Sequence, residues 1–321
     1  MNLLTRSLLP VAALVLSTAR LSAADAIELK QQWLTGKKYS QTMNMAQTSS
    51  FALGPQKMEQ KMNMTMEMST AVAKHEDGKQ KRLTVKYDRM AMKMNMNGQE
   101  MAFDSAKPGE DPLGMGKGFA GMIGKELRIL ASEKDEITSI ENFDEFIAAA
   151  GAGGLPGAQI GQMFNRDSLT EMVKQGSLKA LPGKPVKPGD SWPYEYSVKM
   201  PQIGQIAIKG TYTFKNMSVR GGVSCAEIAM DGTLQMDISG AAADGKTDGP
   251  GAMLAAMGMK INGGKLGGTV WFDPKLGMAR DAEFTQEMEM SMKNPAEPAA
   301  SITIPMKQTI SQTLTKVEDA K

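Results

Sequence analysis

Methionine at every second position is where this chain could do chemistry. Lys61-Met62-Asn63-Met64-Thr65-Met66-Glu67-Met68 alternates without a fault, and Met90-Ala91-Met92-Lys93-Met94-Asn95-Met96 repeats the pattern. Met43/Met45 and Met288/Met290/Met292 are shorter copies. A thioether is apolar, pliable and polarizable, and it carries no charge at any pH. It can fill irregular gaps in a core, or line a site that re-packs around apolar ligands of varied shape. It can also ligate a soft cation, Cu(I) or Ag(I), with no proton to lose.

These three readings differ in what they ask of the chain. Plain packing meets an objection, because strands ordinarily use β-branched and aromatic residues that suit a pleated surface. Ordering an unbranched methionine costs roughly 1 kcal/mol or more of side-chain entropy. A pliable lining answers the objection, since its purpose is to adapt to an apolar small molecule or lipid. The residues expected to form it are Met62, Met64, Met66, Met92, Met94, Met101, Phe103, Met288 and Met290. Soft-metal binding needs sulfurs from neighbouring strands, because residues i and i+2 along one strand are about 7 Å apart. A row such as Met62, Met94 and Met101 could supply them. The ladder is continuous rather than focused on one point, so no metal ligand is assigned and no cofactor is expected.

Enzyme chemistry finds little to work with. There is one histidine, His75, and one cysteine, Cys225, which leaves Ser-His-Asp and Cys-His arrangements without support. His75 sits beside a predicted turn and is read as a solvated surface residue. Cys225 alternates with Val223 and is read as a small buried hydrophobe. Gly151-Ala152-Gly153-Gly154-Leu155-Pro156-Gly157 lacks the Lys-Ser/Thr of a phosphate loop and reads as a linker. Asp104, Asp190 and Asp273 fall at strand ends beside turns, where local hydrogen bonding explains them. The expectation is a non-enzymatic protein.

The elements that must position the methionines can be counted outward from the turns. Asp77-Gly78 and Asn97-Gly98 are two-residue hairpin signals. The first, between Met58–Lys74 and Lys79–Met96, pairs Val72 with Leu83 and Met68 with Tyr87. The second pairs Met94 with Met101 and Met92 with Phe103. Parity then breaks, since Leu83, Val85 and Tyr87 are odd-numbered and Met90 to Met96 are even. One extra residue near Asp88-Arg89, a β-bulge, repairs it. Met66 then faces Met90, Met64 faces Met92, and Met62 faces Met94.

Farther along, Ala106 to Lys125 reads as a loop and Leu127 to Ile140 as a short strand pair. Helices are expected from Ile140 to Gly151 and from Ala158 to Lys174. Tyr194–Met200, Gln205–Asn216, Val223–Met230 and Thr233–Ser239 are strand candidates, followed by a small-residue loop from Gly240 to Lys265. Gly267 to Asp273 is a strand running into a turn, and Arg280–Lys293 with Ser301–Thr315 forms a closing hairpin around Asn294 to Pro298. The fold class is mainly β: antiparallel sheets as a half-barrel or sandwich, in two related halves with a small helical insert. The divisions are a signal peptide over residues 1–24, a β half over 25–140, the insert over 141–182 and a second β half over 183–321.

Compartment follows from the N-terminus. Arg6, the apolar run Leu8 to Leu16 and the small residues Ser22-Ala23-Ala24 have the layout of a secretory signal peptide. No cysteine lies near the cleavage point, so a periplasmic or secreted protein without a lipid anchor or transmembrane segment is expected. With one cysteine there is no internal disulfide, and burial must hold the fold. The net charge is +2, and the cations are scattered, which argues against a nucleic-acid partner.

Tyr87-Asp88, Phe103-Asp104-Ser105 followed by Pro108, Pro185-Val186-Lys187-Pro188-Gly189-Asp190-Ser191-Trp192 and Trp271-Phe272-Asp273-Pro274-Lys275-Leu276-Gly277 carry a resemblance. At these positions the chain resembles an uncharacterised family of exported bacterial proteins, domain of unknown function 6263. The resemblance covers nearly all of the mature chain. It implies a secreted β-rich protein and brings no assigned activity, cofactor or catalytic residue. The long sheets are also similar in architecture to the open, lipid-carrying half-barrels of periplasmic lipoprotein carriers.

Overall fold

A period of two, sustained over long stretches, folds as strands whose residues alternate between two faces. In the computed structural model the described residues are 26–53, 56–107, 121–151, 166–178, 181–200, 204–237, 258, 260–293 and 301–320. The segment read as a signal peptide, the middle of the loop after Ala106, the linker after Gly151 and the stretch from 238 to 257 lie outside them. The strands are β1 (Lys37–Leu53), β2 (Gln56–Lys74), β3 (Gln80–Met96), β4 (Gln99–Asp104), β5 (Glu126–Ser132) and β6 (Ile137–Ile140). Two helices follow, α1 (Phe143–Gly151) and α2 (Arg166–Leu178). Then come β7 (Ser191–Met200), β8 (Gly204–Arg220), β9 (Val223–Asp237), β10 (Lys260–Asp273), β11 (Met278–Lys293) and β12 (Ser301–Asp319).

All twelve strands belong to one antiparallel sheet in the order β6-β5-β3-β2-β1-β12-β11-β10-β9-β8-β7, with β4 paired beside β3. The two stretches read as separate β halves are joined edge to edge, because β1 pairs with β12 from Lys37↔Asp319 to Ser49↔Met306. Of half-barrel and sandwich, the single open sheet is the half-barrel kind. Its edge strands, β6 and β7, both pack against α2. A helix of 13 residues spans only about 20 Å, so the sheet curls far enough for one helix to reach both edges.

The hairpin counting holds. Val72 faces Leu83, Met68 faces Tyr87, Met94 faces Met101 and Met92 faces Phe103. The register shifts where Glu67 meets Arg89 and Met68 meets Tyr87, leaving Asp88 as the extra residue. Beyond it Met66, Met64 and Met62 face Met90, Met92 and Met94.

Some boundaries differ. Val223–Met230 and Thr233–Ser239 are not two strands but one, β9, because Gly232 continues it opposite Gly210. A Cβ on Gly232 would lie 2.7 Å from the Lys209 carbonyl, so this close crossing needs the missing side chain. Lys260–Lys265, read as loop, is the start of β10, and β12 runs past Thr315 to Asp319. The described part of the second helix begins at Arg166 and ends at Leu178.

The concave face of the sheet has two zones. At the base, near the Asp77-Gly78 turn, Tyr39, Val72, Leu83, Leu127 and Ile129 pack under Phe143 and Phe146 of α1, with Trp33, Leu169 and Val173 against them. Across the sheet, Trp192, Tyr212, Phe214, Ile228 and Phe272 pack under Leu29 and Val186. The N-terminal segment crosses this base on the concave side. Ile27 bridges Val186, Gln32 N–H donates to the Gly277 carbonyl at 2.9 Å, and Trp33 N–H donates to Asp135 Oδ1 at 2.9 Å. Asp135, 5% exposed, is also paired with Lys81 Nζ, which reaches the Trp33 carbonyl at 2.9 Å. The upper zone, toward the Asn97-Gly98 rim, carries the methionines.

Candidate functional site

Register places the methionines in a grid. Met43–Met66–Met90, Met45–Met64–Met92 and Met62–Met94–Met101 are three rows of three, each crossing neighbouring strands. Directly opposed residues have Cβ atoms about 4.5–5.5 Å apart. The middle row begins at Phe103 on β4 and does not stop at Met45. It continues through Ile310, Phe284, Gly268 and Met230 to Tyr212 and Trp192, and so crosses ten strands. Gly268 lies under the Phe284 ring, where a Cβ would be 2.5 Å from Cδ1.

Met62, Met64, Met66, Met92, Met94, Met101 and Phe103 are therefore gathered on β2, β3 and β4. Met288 and Met290 lie on the same face but apart from the grid, on β11, opposite Met306 and Ile304 of β12. Met92 and Phe103 are buried, while Met62, Met64, Met66 and Met94 are half-buried. Ile302, Ile304, Ile310 and Phe284 belong to the face without having been singled out, and Met43 and Met45, named among the repeats but not in the expected lining, join it. The alternation from Ser301 to Ile310 was a usable signal for the isoleucines.

The methionine zone of the face is free of charge. From β3 to β8, the four rows that start at Met90, Met92, Met94 and Met96 contain no Asp, Glu, Lys, Arg or His. The phenols at its far side stay protonated: burial pushes Tyr194 up to about 12 and raises Tyr212 and Tyr196. The charges are on the convex face instead. Arg89 binds Asp104 at 2.7 Å and Glu67 at 2.8 Å, clamping β2, β3 and β4 beside the bulge. Arg220 binds Asp281 and Glu283 and lies 4.2 Å from the Trp271 ring centroid.

Glutamine is the one recurring polar group on the concave side. Gln47, Gln308 and Gln286 are consecutive in the row of Met94 and Met62. Gln308 Nε2 contacts the Met45 sulfur, and Gln286 Nε2 lies 3.7 Å from the Met288 sulfur. A thioether is a weak acceptor, so these amides are poorly satisfied donors. Where the upper zone meets the base, a cavity of ≈ 290 Å³ opens between the N-terminal segment and the sheet. Its polar lining is Gln31, Gln41, Gln312 and Trp33, and its apolar lining includes Phe272, Phe284 and Met278. Two larger grooves among several, ≈ 760 and ≈ 900 Å³, are at the rim and are edged by the convex-face residues Lys61 and Glu59.

The remaining singled-out residues are structural. His75 is not simply solvated: 19% exposed, it sits 3.1 Å from Asp77 and 3.3 Å from Glu141, because the β5–β6 hairpin folds over the turn that carries it. Cys225 is fully buried. Asp104, Asp190 and Asp273 accept backbone N–H groups of Ala106, Lys187 and Lys275 as turn caps. Among the described residues no group of three His, Cys, Asp or Glu side chains could hold a metal ion. No described helix is long and apolar enough to cross a membrane.

The family model described as a family of unknown function (DUF6263) matches residues 78–279. No curated protein matches the chain by sequence. Among solved structures, lipovitellin, from a study of its lipid-protein interactions, is similar with a TM-score of 0.49 and 12% identity, over 90% of this chain and 26% of that one. The chain thus spans about a quarter of lipovitellin's length. DynF from the dynemicin pathway of Micromonospora chersina has a TM-score of 0.22 and 6% identity, over 91% of this chain and 86% of that one. A DUF1329 family protein from Desulfovibrio piger has a TM-score of 0.17 and 7% identity, over 87% and 86%.

Proposed function

The chain belongs to the family of unknown function DUF6263, and from that premise we propose that it is a non-enzymatic exported protein that holds an apolar ligand, a lipid or acyl chain, on the concave face of its sheet. One observation carries the reading. A charge-free row of methionine, isoleucine and aromatic side chains crosses ten strands, while the charged residues of these strands alternate onto the convex face. A sheet that needed only a packed core would be served better by β-branched residues. Half-buried methionines can re-pack around chains of different shape. Export to the periplasm or medium rests on Leu8–Leu16 and Ser22-Ala23-Ala24. Native mass spectrometry of protein purified from its host should reveal bound apolar mass, and protein that carries neither lipid nor metal would sink the proposal.

A second reading is favoured by the three-by-three methionine grid. Three thioethers from adjacent strands make a soft donor set suited to Cu(I) or Ag(I). The two readings part on one variant. Changing Met62, Met64, Met66, Met92 and Met94 together to Leu breaks all three rows and should abolish Cu(I) binding. Lipid binding should survive, with each volume-conserving swap costing under about 1.5 kcal/mol of stability.

A further inference from the structure

The concave face says something about the head of its ligand as well as its chain. Resting on the apolar-ligand reading above, we infer that the ligand's head is uncharged and presents a hydrogen-bond acceptor, as an ester or neutral carbonyl does, and that it seats in the ≈ 290 Å³ cavity at the foot of the methionine zone.

Three observations converge there. First, Trp33 lines this cavity, and its indole Nε1–H is buried with no hydrogen-bond partner. A donor that solvent does not reach and that no group accepts from is costly, and a small shift of the ring would bring it to an acceptor in the cavity. Second, the other polar lining groups, Gln31, Gln41 and Gln312, are carboxamides that can donate or accept without carrying charge. Third, no charged side chain lines the cavity, and the four rows above it are equally free of charge. The ions beside the Trp33 backbone are committed elsewhere, since Lys81 and Asp135 neutralise each other while holding it. Tyr212, also in the lining, is kept neutral by burial. A fatty carboxylate or a phosphate would enter without a counter-ion, and an unpaired buried charge is strongly disfavoured. An ester carbonyl would satisfy Trp33 and the amides while its chain ran up past Met43, Met45 and Ile310. Gln308 and Gln286, whose Nε2 donors are set against thioethers, would accommodate a second ester farther along.

The test uses the full mature chain and three pyrene-labelled probes of one chain length: the methyl ester, the free acid and the alkane. At about pH 8 the free acid is ionised. The ester should bind at least about tenfold tighter than the acid, and the gap should close as pH falls and the acid becomes neutral. Trp33→Phe removes the donor and keeps the ring. It should weaken the ester by about fivefold and leave the alkane unchanged. Gln312→Leu gives an independent check at the other side of the cavity, with the same direction expected. If the ionised acid binds as tightly as the ester, or if Trp33→Phe and Gln312→Leu weaken ester and alkane alike, the head-group inference is overturned and the apolar-ligand reading stands. If none of the three probes binds, both fall.

Discussion

Asp104 shows what a single side chain contributes on the convex face. The Arg89 guanidinium binds it through two hydrogen bonds, at 3.0 and 2.7 Å, and the Ala106 N–H adds a third. Together they hold its carboxyl at about 2, against the ordinary 3.8. A carboxyl whose folded value is depressed stabilises the fold above its unfolded value and loses that contribution as pH falls through the folded one. Between about pH 4 and pH 2 the melting temperature should therefore drop, and Asp104→Asn should flatten the drop while lowering stability at neutral pH. Equal slopes for the two proteins would show that the clamp does not titrate with folding.

At the scale of an element, the extra residue in β3 decides which way the methionines point. Asp88 is exposed, and its side chain makes no hydrogen bond with a described residue, so Asp88→Ala should change stability by no more than about 0.5 kcal/mol. Deleting Asp88 should be far worse, because a one-residue slip sends Met90, Met92 and Met94 to the convex face or breaks their pairing with β2. Thermal melts of the two variants compare count with chemistry, and similar melting temperatures would mean that the register is held by something other than the bulge. This bulge was legible in the sequence. Two strong turn signals bracket β3 from either side, and their parities disagree by one. The continuity of β9 through Gly232 was not legible, because a glycine between polar and apolar stretches looks the same whether it ends a strand or lets two backbones approach.

For the whole molecule, the feature to test is the helix across the gap. α2 packs against both edge strands, and Leu169 is set against the base cluster. Leu169→Ala should cost about 2 kcal/mol. Hydrogen exchange should then rise in β6 and β7 together, although these strands stand at opposite ends of the sheet order. A rise confined to β6 would mean that the helix covers one edge and does not couple the two.

The sequence alone determined the strand period, the hairpin registers on either side of β3, a bulge near Asp88-Arg89 and the grouping of Met62, Met64, Met66, Met92, Met94, Met101 and Phe103. All of these are local, set by alternation and by turns only a few residues long. Tertiary structure decided the rest. That β1 lies beside β12 joins the methionine grid to Ile310 and Phe284 across more than 250 residues of chain. That residues 26–34 cross the concave base brings Gln31 and Trp33 to Gln312. No period or turn signal encodes either contact, because both depend on how a long sheet curls and on what the curl leaves uncovered.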